Sequence, residues 1–368
     1  MTIRQWVFFF LFFGTLIPGS ASTPGISSGK DSLEFFDARK FDVIGRYHDE
    51  HNFVRLPEKY KDKVRESVWS LSRNSAGIAI RFRTNSPIIV VRCTVMNDAN
   101  LPHMPATGVK GVDLYAFNGS EWQYIKTGFP RGKVSEYVLL SDGDGVAREY
   151  LLNLPLYDGV ESLEISVKPG TEIGKAKDRL LLEKKPVVYY GTSIAQGGCA
   201  SRPGLAYTNI LSRKLDRPFI NLGFSGNGTI ETSVGEAMAE VDAALYVIDC
   251  NPNTKDDVIY ERTIALVRML KERRPAIPIL LVEGFLNESN FFNPASGGNE
   301  NIRKKRAELF RAYESLKKAG TTKIAYLKGD GLIGKDHEAT VDGIHPNDIG
   351  MMRMAEALMP AIKKFCKN

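Results

Sequence analysis

The stretch Pro186-Val187-Val188-Tyr189-Tyr190-Gly191-Thr192-Ser193-Ile194 decides how this chain folds. An apolar and aromatic run closed by glycine reads as a strand buried on both faces. The chain then repeats one alternation: helical Ala206 to Leu215, strand Phe219-Ile220-Asn221-Leu222, helical Thr232 to Glu240, and strand Ala244-Leu245-Tyr246-Val247-Ile248. It continues with a helix from Lys255 to Arg273, strand Ile277 to Val282, a helix from about Asn301 to Lys318, strand Ile324-Ala325-Tyr326-Leu327, and a last helix from Pro346 to Phe365. Strands alternating with helices predict a parallel sheet, here of five strands, covered on both faces. Ligands in such sheets bind at the carboxyl ends of the strands.

Upstream the pattern changes. From about Asp37 to Val167 short alternating or β-branched runs are separated by turn residues: Gly77 to Phe82, Ile88 to Val91, Val112 to Tyr115, Tyr137 to Leu140 and Ser162 to Val167. That spacing predicts an antiparallel β-sandwich. Asn118-Gly119, between Asp113-Leu114-Tyr115 and Trp122-Gln123-Tyr124, predicts a tight hairpin in which both turn residues take positive φ. Lys168-Pro169-Gly170 closes this region and a polar stretch, Thr171 to Lys185, follows. The expected domains are a sandwich over 33–170 and an α/β domain over 171–368.

The first 22 residues have the layout of a secretory signal. Arg4 precedes an apolar run from Trp6 to Ile17, and Pro18-Gly19-Ser20-Ala21-Ser22 supplies small residues for cleavage. The run is about a dozen residues, short of the roughly 20 that span a bilayer. The expectation is therefore a periplasmic or secreted protein with no stable membrane anchor after cleavage. Lys plus Arg number 49 against 43 Asp plus Glu, with no basic run of the kind that grips nucleic acid, so no nucleic-acid partner is expected.

The predicted strands deliver a consistent set of groups to one edge of the sheet. The first ends in Gly191-Thr192-Ser193-Ile194, the second in Gly223-Phe224-Ser225-Gly226-Asn227, the third in Asp249-Cys250-Asn251-Pro252-Asn253, and Asp342-Gly343-Ile344-His345-Pro346 follows the fifth. A hydroxyl, glycine N–H groups, an amide and an Asp/His pair are the parts of acyl transfer. With 5 histidines in 368 residues the base can be found by elimination. His48 and His51 lie near the start of the chain, His103 lies in the sandwich, and His337 stands several residues before any helix-start signal. Only His345 has a carboxylate three residues before it and a proline after it. Asp342 can fold back onto Nδ1 and leave Nε2 for Ser193.

At these residues the chain resembles the SGNH (GDSL-like) hydrolase superfamily. Gly191-Thr192-Ser193-Ile194 replaces Gly-Asp-Ser, and Gly111-Val112-Asp113-Leu114-Tyr115 resembles the G-x-D-L-Y motif of a subfamily with an N-terminal sandwich. The resemblance implies a flavodoxin-like three-layer α/β/α hydrolase domain. It also implies Ser193 as nucleophile, His345 as base oriented by Asp342, and an oxyanion hole from the Ser193 N–H, the Gly226 N–H and the Asn251 amide. Gly223 is the alternative to Gly226. The third block departs from Gly-x-Asn-Asp by reading Asp249-Cys250-Asn251-Pro252.

Other residues carry weaker expectations. Cys199 and Cys250 flank site elements, and an oxidising compartment allows a disulfide between them. Gln196, Arg202 and Asn253 stand beside the nucleophile or the amide and are candidates for substrate contact. So are His103, reaching across from the sandwich, and Phe285 in the long loop from Glu283 to Glu300. His48-Asp49-Glu50-His51 lacks two further ligands at metal spacing, so neither metal nor cofactor is assigned. The expected activity is hydrolysis of an acyl ester, most simply acetyl, on a small molecule or glycan. The rivals are a lipase or thioesterase acting on longer chains and a non-catalytic glycan-binding protein.

Overall fold

The computed structural model describes residues 32–177 and 183–366; the expected signal segment and part of the polar stretch before Pro186 lie outside them. The first half is a sandwich of two antiparallel sheets. One has the order β1 (Glu34–Asp37), β9 (Val160–Val167), β4 (Ile89–Val95), β7 (Val134–Leu140). The other runs β10 (Ile173–Gly174), β3 (Ala79–Thr84), β8 (Arg148–Asn153), β5 (Asp113–Phe117), β6 (Trp122–Thr127), with β2 (Asp42–Ile44) on β3. Strands such as β7 alternate exposed and buried residues along their length, as a sheet packed on one face must. Ile80, Phe82, Val91, Leu114, Leu139, Leu152 and Ile165 meet in the apolar centre.

Two local expectations change. β5 and β6 form the predicted hairpin, but residues 118–121 make a longer loop in which only Gly119 takes positive φ, +103°. Asn118 instead accepts from the N–H groups of Ser120 and Glu121 at 3.0 Å, so its side chain replaces the second left-handed residue. The sandwich also runs past Gly170: Ile173–Gly174 pairs with β3, and the Ala176 N–H donates to Asp42.

The second half is a parallel sheet of β11 (Val187–Gly191), β12 (Phe219–Gly223), β13 (Leu245–Asp249), β14 (Ile279–Val282) and β15 (Ile324–Leu327). Their order is β12-β11-β13-β14-β15. This doubly wound order reverses direction at β11, and the crevice beside that strand is where such sheets bind ligands. Side chains alternate between two cores. Val188, Tyr190, Tyr246 and Ile248 face the helices Thr232–Glu240 and Asp256–Arg273, whereas Val187, Tyr189, Leu245 and Val247 face Tyr207–Leu215 and Asp348–Phe365. No helix among the described residues is long and apolar enough to cross a membrane.

The halves are not separate in packing. Residues 47–72, which precede most of the sandwich, pack Leu56, Tyr60, Val64 and Val68 into the first of these cores. Arg55 in this strap is 1% exposed and donates to the carbonyls of Asn74 (3.0 Å), Leu71 (2.5 Å), Asn221 (3.5 Å) and Gly223, with its guanidinium 4.9 Å from the Phe224 ring. Four carbonyls and an aromatic face compensate the desolvated charge. Arg65 and Ser67 grip the Asn227 side chain at 2.8 Å, so the strap braces the loop after β12.

A second joint is made by the G-x-D-L-Y segment. Asp113, 0% exposed, accepts from Asn153 Nδ2 (2.8 Å) within the sandwich and from Arg202 Nη1 (2.6 Å) and the Gly204 N–H (2.8 Å) of the α/β half. Arg202 also donates to the Tyr115 hydroxyl at 2.6 Å and lies 4.0 Å from the Tyr124 ring.

Candidate active site

Ser193 follows the end of β11. Thr192 is extended, and its Oγ1 accepts from the Ile194 N–H (3.3 Å), which caps the one-turn helix Ser193–Gln196. The threonine that stands where Gly-Asp-Ser has aspartate is therefore the helix cap, and it places Ser193 at the first helical position, where the main-chain N–H has no intrahelical acceptor. Gly197, at φ +111°, ends the turn at once. The Gly198 N–H (2.8 Å) and the Tyr157 hydroxyl (3.1 Å) both donate to the Ser193 carbonyl, and Tyr157 comes from the sandwich side.

His345 reaches Ser193 from the last loop. Thr340 bridges Pro346, and Gly343 at φ +84° lets the chain reverse, so Asp342 Oδ1 accepts from the N–H groups of Ile344 (3.0 Å) and His345 (2.7 Å). Asp342 Oδ2 lies 2.7 Å from His345 Nδ1, and His345 Nε2 lies 2.9 Å from Ser193 Oγ. Partial burial would raise the Asp342 carboxyl, but hydrogen bonds from the His345 backbone and ring and from Ile344 hold it below the usual carboxylate range. The final helix does not begin at Pro346: Asn347 caps it by accepting from the Gly350 N–H (3.1 Å), which leaves Asp342 to the imidazole. Carboxylate, imidazole and hydroxyl thus form a continuous hydrogen-bonded chain.

The expected oxyanion groups divide. Gly226 is at φ +66° with open space where a Cβ would stand. Gly223 is enclosed, since a Cβ there would lie 2.3 Å from the Gln196 nitrogen, and its N–H is already taken by Asn221 Oδ1 at 2.8 Å. Asn251 departs from expectation. It is 1% exposed, its Nδ2 donates to the Lys305 carbonyl (2.9 Å) and its Oδ1 accepts from the Gly284 N–H (3.3 Å), so its amide is spent on main chain behind the site. Asn253, two residues on, is half-buried; with its amide turned so that the oxygen faces the loop, the orientation that satisfies both ends of the side chain, Oδ1 accepts from the N–H groups of Gly226 (3.0 Å) and Asn227 (3.3 Å). The side chain coupled to the glycine loop is Asn253.

Three other candidates serve the scaffold instead. Gln196 is fully buried, donating to the Leu156 carbonyl (3.1 Å) and accepting from the Ser225 N–H (3.0 Å); it ties the serine turn to the sandwich and to the glycine loop. Arg202 is committed to Asp113 and Tyr115, as described. Phe285 is 6% exposed within the core; the exposed rings of the long loop are Phe291 and Phe292. His103 does reach the site, its ring centroid 5.6 Å from that of His345.

The expected disulfide is absent: Cys199 and Cys250 are both free thiols. They belong to opposite cores of the sheet, Cys199 with Tyr189 and Val247, Cys250 with Tyr190 and Ile248, so the sheet itself separates them. Asp249, whose Oδ2 accepts from the hydroxyls of Tyr189 (2.9 Å) and Tyr207 (3.2 Å), is pushed up to about 7 by complete burial. Sequence reasoning passed over this carboxyl, Tyr157, Arg55 and Arg65, because nothing local marks partners so distant along the chain.

A three-layer parallel fold with a serine at its switch point, hydrogen-bonded to an imidazole that a carboxylate holds from its other nitrogen, defines the class: an ester-hydrolysing serine hydrolase. Comparison with known proteins places it further. Residues 184–363 match the GDSL-like lipase/acylhydrolase family, and residues 33–173 match a family described as the N-terminus of SGNH-hydrolase-type esterases. A crystal structure described as a GDSL-like lipase from Bacteroides ovatus is 37% identical, with TM-score 0.86 over 90% of this chain and 98% of that one. The chain belongs to the GDSL-like lipase/acylhydrolase family. A salicylyl-acyltransferase from a tetracycline biosynthetic pathway (18% identity, TM-score 0.73, 90% and 98% covered) has the same fold. So does an acetyl xylan esterase from the rumen bacterium Butyrivibrio proteoclasticus (13% identity, TM-score 0.57, 90% and 99% covered). No curated protein matches the chain.

Proposed function

We propose that this protein is an exported esterase that removes a small acyl group, most simply acetyl, from a carbohydrate through a Ser193-His345-Asp342 triad. The observation that carries this reading is the unbroken chain from Asp342 Oδ2 through His345 to Ser193 Oγ, with links of 2.7 and 2.9 Å. Asp342 holds the Nδ1–H tautomer, so Nε2 accepts the Ser193 proton as Oγ attacks the ester carbonyl; the imidazolium then returns that proton to the leaving alcohol. Water attacks the acyl-enzyme through the same base. The negative charge on the carbonyl oxygen is met by the N–H groups of Ser193 and Gly226 and by the Asn253 amide, which takes the role that sequence alone assigns to Asn251. The Gly226 N–H differs from the enclosed Gly223 N–H in lying on an open turn, where it can share its hydrogen between Asn253 Oδ1 and the oxyanion.

A small acyl group is favoured by the crowding of the serine. A Cβ at Gly198 would lie 2.8 Å from the Tyr157 hydroxyl and 3.4 Å from the His345 ring, and the His103 ring lies 5.6 Å from that ring, centroid to centroid. The carbohydrate part rests on the acetyl xylan esterase of like fold, and export rests on the signal layout of residues 1–22. The test is hydrolysis of p-nitrophenyl acetate against longer acyl esters and acetylated glycans, with fluorophosphonate labelling. Ser193→Ala should abolish labelling and lower kcat by about three to six orders of magnitude. An unlabelled wild type that hydrolyses none of these esters would overturn the reading.

A further inference from the structure

His103, Cys199 and His345 come from three separate parts of the fold and converge. His103 lies in the sandwich segment before the short helix Ala106–Val109, Cys199 in the turn after the nucleophile helix at φ +73°, and His345 in the last loop. Their ligating atoms, one sulfur and two imidazole nitrogens, all lie within 4.8 Å of one another. Among the described residues this is the one group of three or more His, Cys, Asp or Glu side chains so arranged.

We propose that these three residues bind a borderline divalent cation of the Zn2+ type, and that its binding switches the esterase off. The proposal rests on the triad reading above for its effect on rate, but not for the site itself. One thiolate and two imidazoles are a donor set suited to zinc, and three protein ligands with an open fourth position is a common zinc arrangement. Bonds of about 2.0–2.3 Å in a tetrahedron require donor atoms roughly 3.5 Å apart, so a group whose atoms lie within 4.8 Å of one another needs to close by at most roughly 1.3 Å. His103 is only half-buried, and of the two imidazoles it is the one not held at both ring nitrogens by the triad. The thiol is already positioned, its Sγ donating to the His103 carbonyl at 3.4 Å.

The consequence for the reaction follows from His345. Its Nδ1 is held by Asp342, so the nitrogen it offers a cation is Nε2, the one 2.9 Å from Ser193 Oγ. A cation on Nε2 converts Asp342 into the outer-shell carboxylate that orients a metal-bound imidazole, and it leaves Ser193 without a base. Binding releases the Cys199 thiol proton to solvent and forms one metal–sulfur and two metal–nitrogen bonds; removing the ion restores the original hydrogen bonds. Because one ligand belongs to the sandwich and two to the α/β half, the same ion also pins the halves together across the serine.

The experiment has two arms. In the first, p-nitrophenyl acetate hydrolysis by the full chain is followed during Zn2+ titration and after chelation. The expected result is loss of kcat, full recovery with chelator, and a shift to at least about tenfold higher Zn2+ in Cys199→Ala, whose metal-free rate stays near wild type. His103→Gln should shift the titration in the same direction. In the second arm Co2+ is added to Ser193→Ala, which performs no turnover, and thiolate-to-cobalt charge transfer is read in the near ultraviolet; the band should appear, and vanish on adding Cys199→Ala. Inhibition unchanged by Cys199→Ala, no cobalt–thiolate band, or a rate that falls on chelation overturns the proposal. A cobalt–thiolate band in a protein whose wild type hydrolyses no ester keeps the metal site and refutes the triad reading instead.

Discussion

Replacing Asn253 and Asn251 one at a time separates the two amides that the third strand delivers. Asn253→Ala removes a side chain that the transition state uses, and loss of one oxyanion donor costs about 10²–10³ in kcat, or roughly 3–4 kcal/mol. Its fold should persist, because the Gly226 and Asn227 N–H groups it serves lie in a loop that Arg65 and Ser67 still hold. Asn251→Ala does the opposite. It strands the Lys305 carbonyl and the Gly284 N–H in the interior, at about 1–3 kcal/mol each. The combined loss of about 2–6 kcal/mol lowers Tm by roughly 4–24 °C, at about 2–4 °C per kcal/mol for a domain of this size. Kinetics on p-nitrophenyl acetate and a thermal melt of both variants are sufficient. Asn253→Asp serves as control, since it keeps the acceptor for the loop and removes the donor, and should be as slow as the alanine variant. A folded Asn251→Ala that loses a hundredfold in kcat beside an Asn253→Ala of undiminished rate would refute the assignment.

Two further outcomes are expected. For Asp249, a folded value of about 7 against the ordinary 3.8 means that the folded protein holds more protons than the unfolded chain between those limits, so stability falls as pH rises through that window. Asp249→Asn, whose amide oxygen can accept from both tyrosines, should gain on wild type by roughly 2–3 kcal/mol between pH 5 and pH 8 in urea denaturation; a gap independent of pH would show the carboxyl ionised throughout. Asp113→Ala leaves the Arg202 guanidinium inside the joint without its carboxylate and should cost about 3–5 kcal/mol. The Asp113→Ala/Arg202→Ala double variant should lose clearly less than the sum of the two single changes.

The parallel half was legible because its signals are local. Each strand is an apolar run, each helix a periodic one, and Thr232–Glu240 and Ile324–Leu327 fall where the pattern alone sets them. The triad was legible for a different reason: five histidines leave few choices, and Asp342 sits three residues from its partner. What escaped were contacts decided by distant chain. Whether Asn251 or Asn253 faces the site depends on which one the Lys305 carbonyl claims, from a helix 54 residues away. Gln196 and Arg202 look like substrate contacts until Leu156 and Asp113 take them from the other half of the molecule. The missing disulfide was partly foreseeable: Cys250 shares the strand parity of Tyr246 and Ile248, but the side of the sheet on which Cys199 packs becomes plain only when the turn after Ser193 is built.

The strap of residues 47–72 has a consequence for how the protein is made. Leu56, Tyr60, Val64 and Val68 leave the ribosome early, yet the core they complete includes Leu281 on β14 and Ile324 on β15, roughly 200 or more residues later. At synthesis rates of about 5–20 residues per second these side chains wait some 10–50 s or more for their partners. Throughout that interval the nascent chain carries an apolar segment with nowhere to bury it, and its longest-range contacts are also the slowest to close. A gene fragment beginning at the α/β half would have the converse defect, a finished sheet with one face uncovered. The two halves can be drawn as separate domains, but they have to be synthesised, and engineered, as one folding unit.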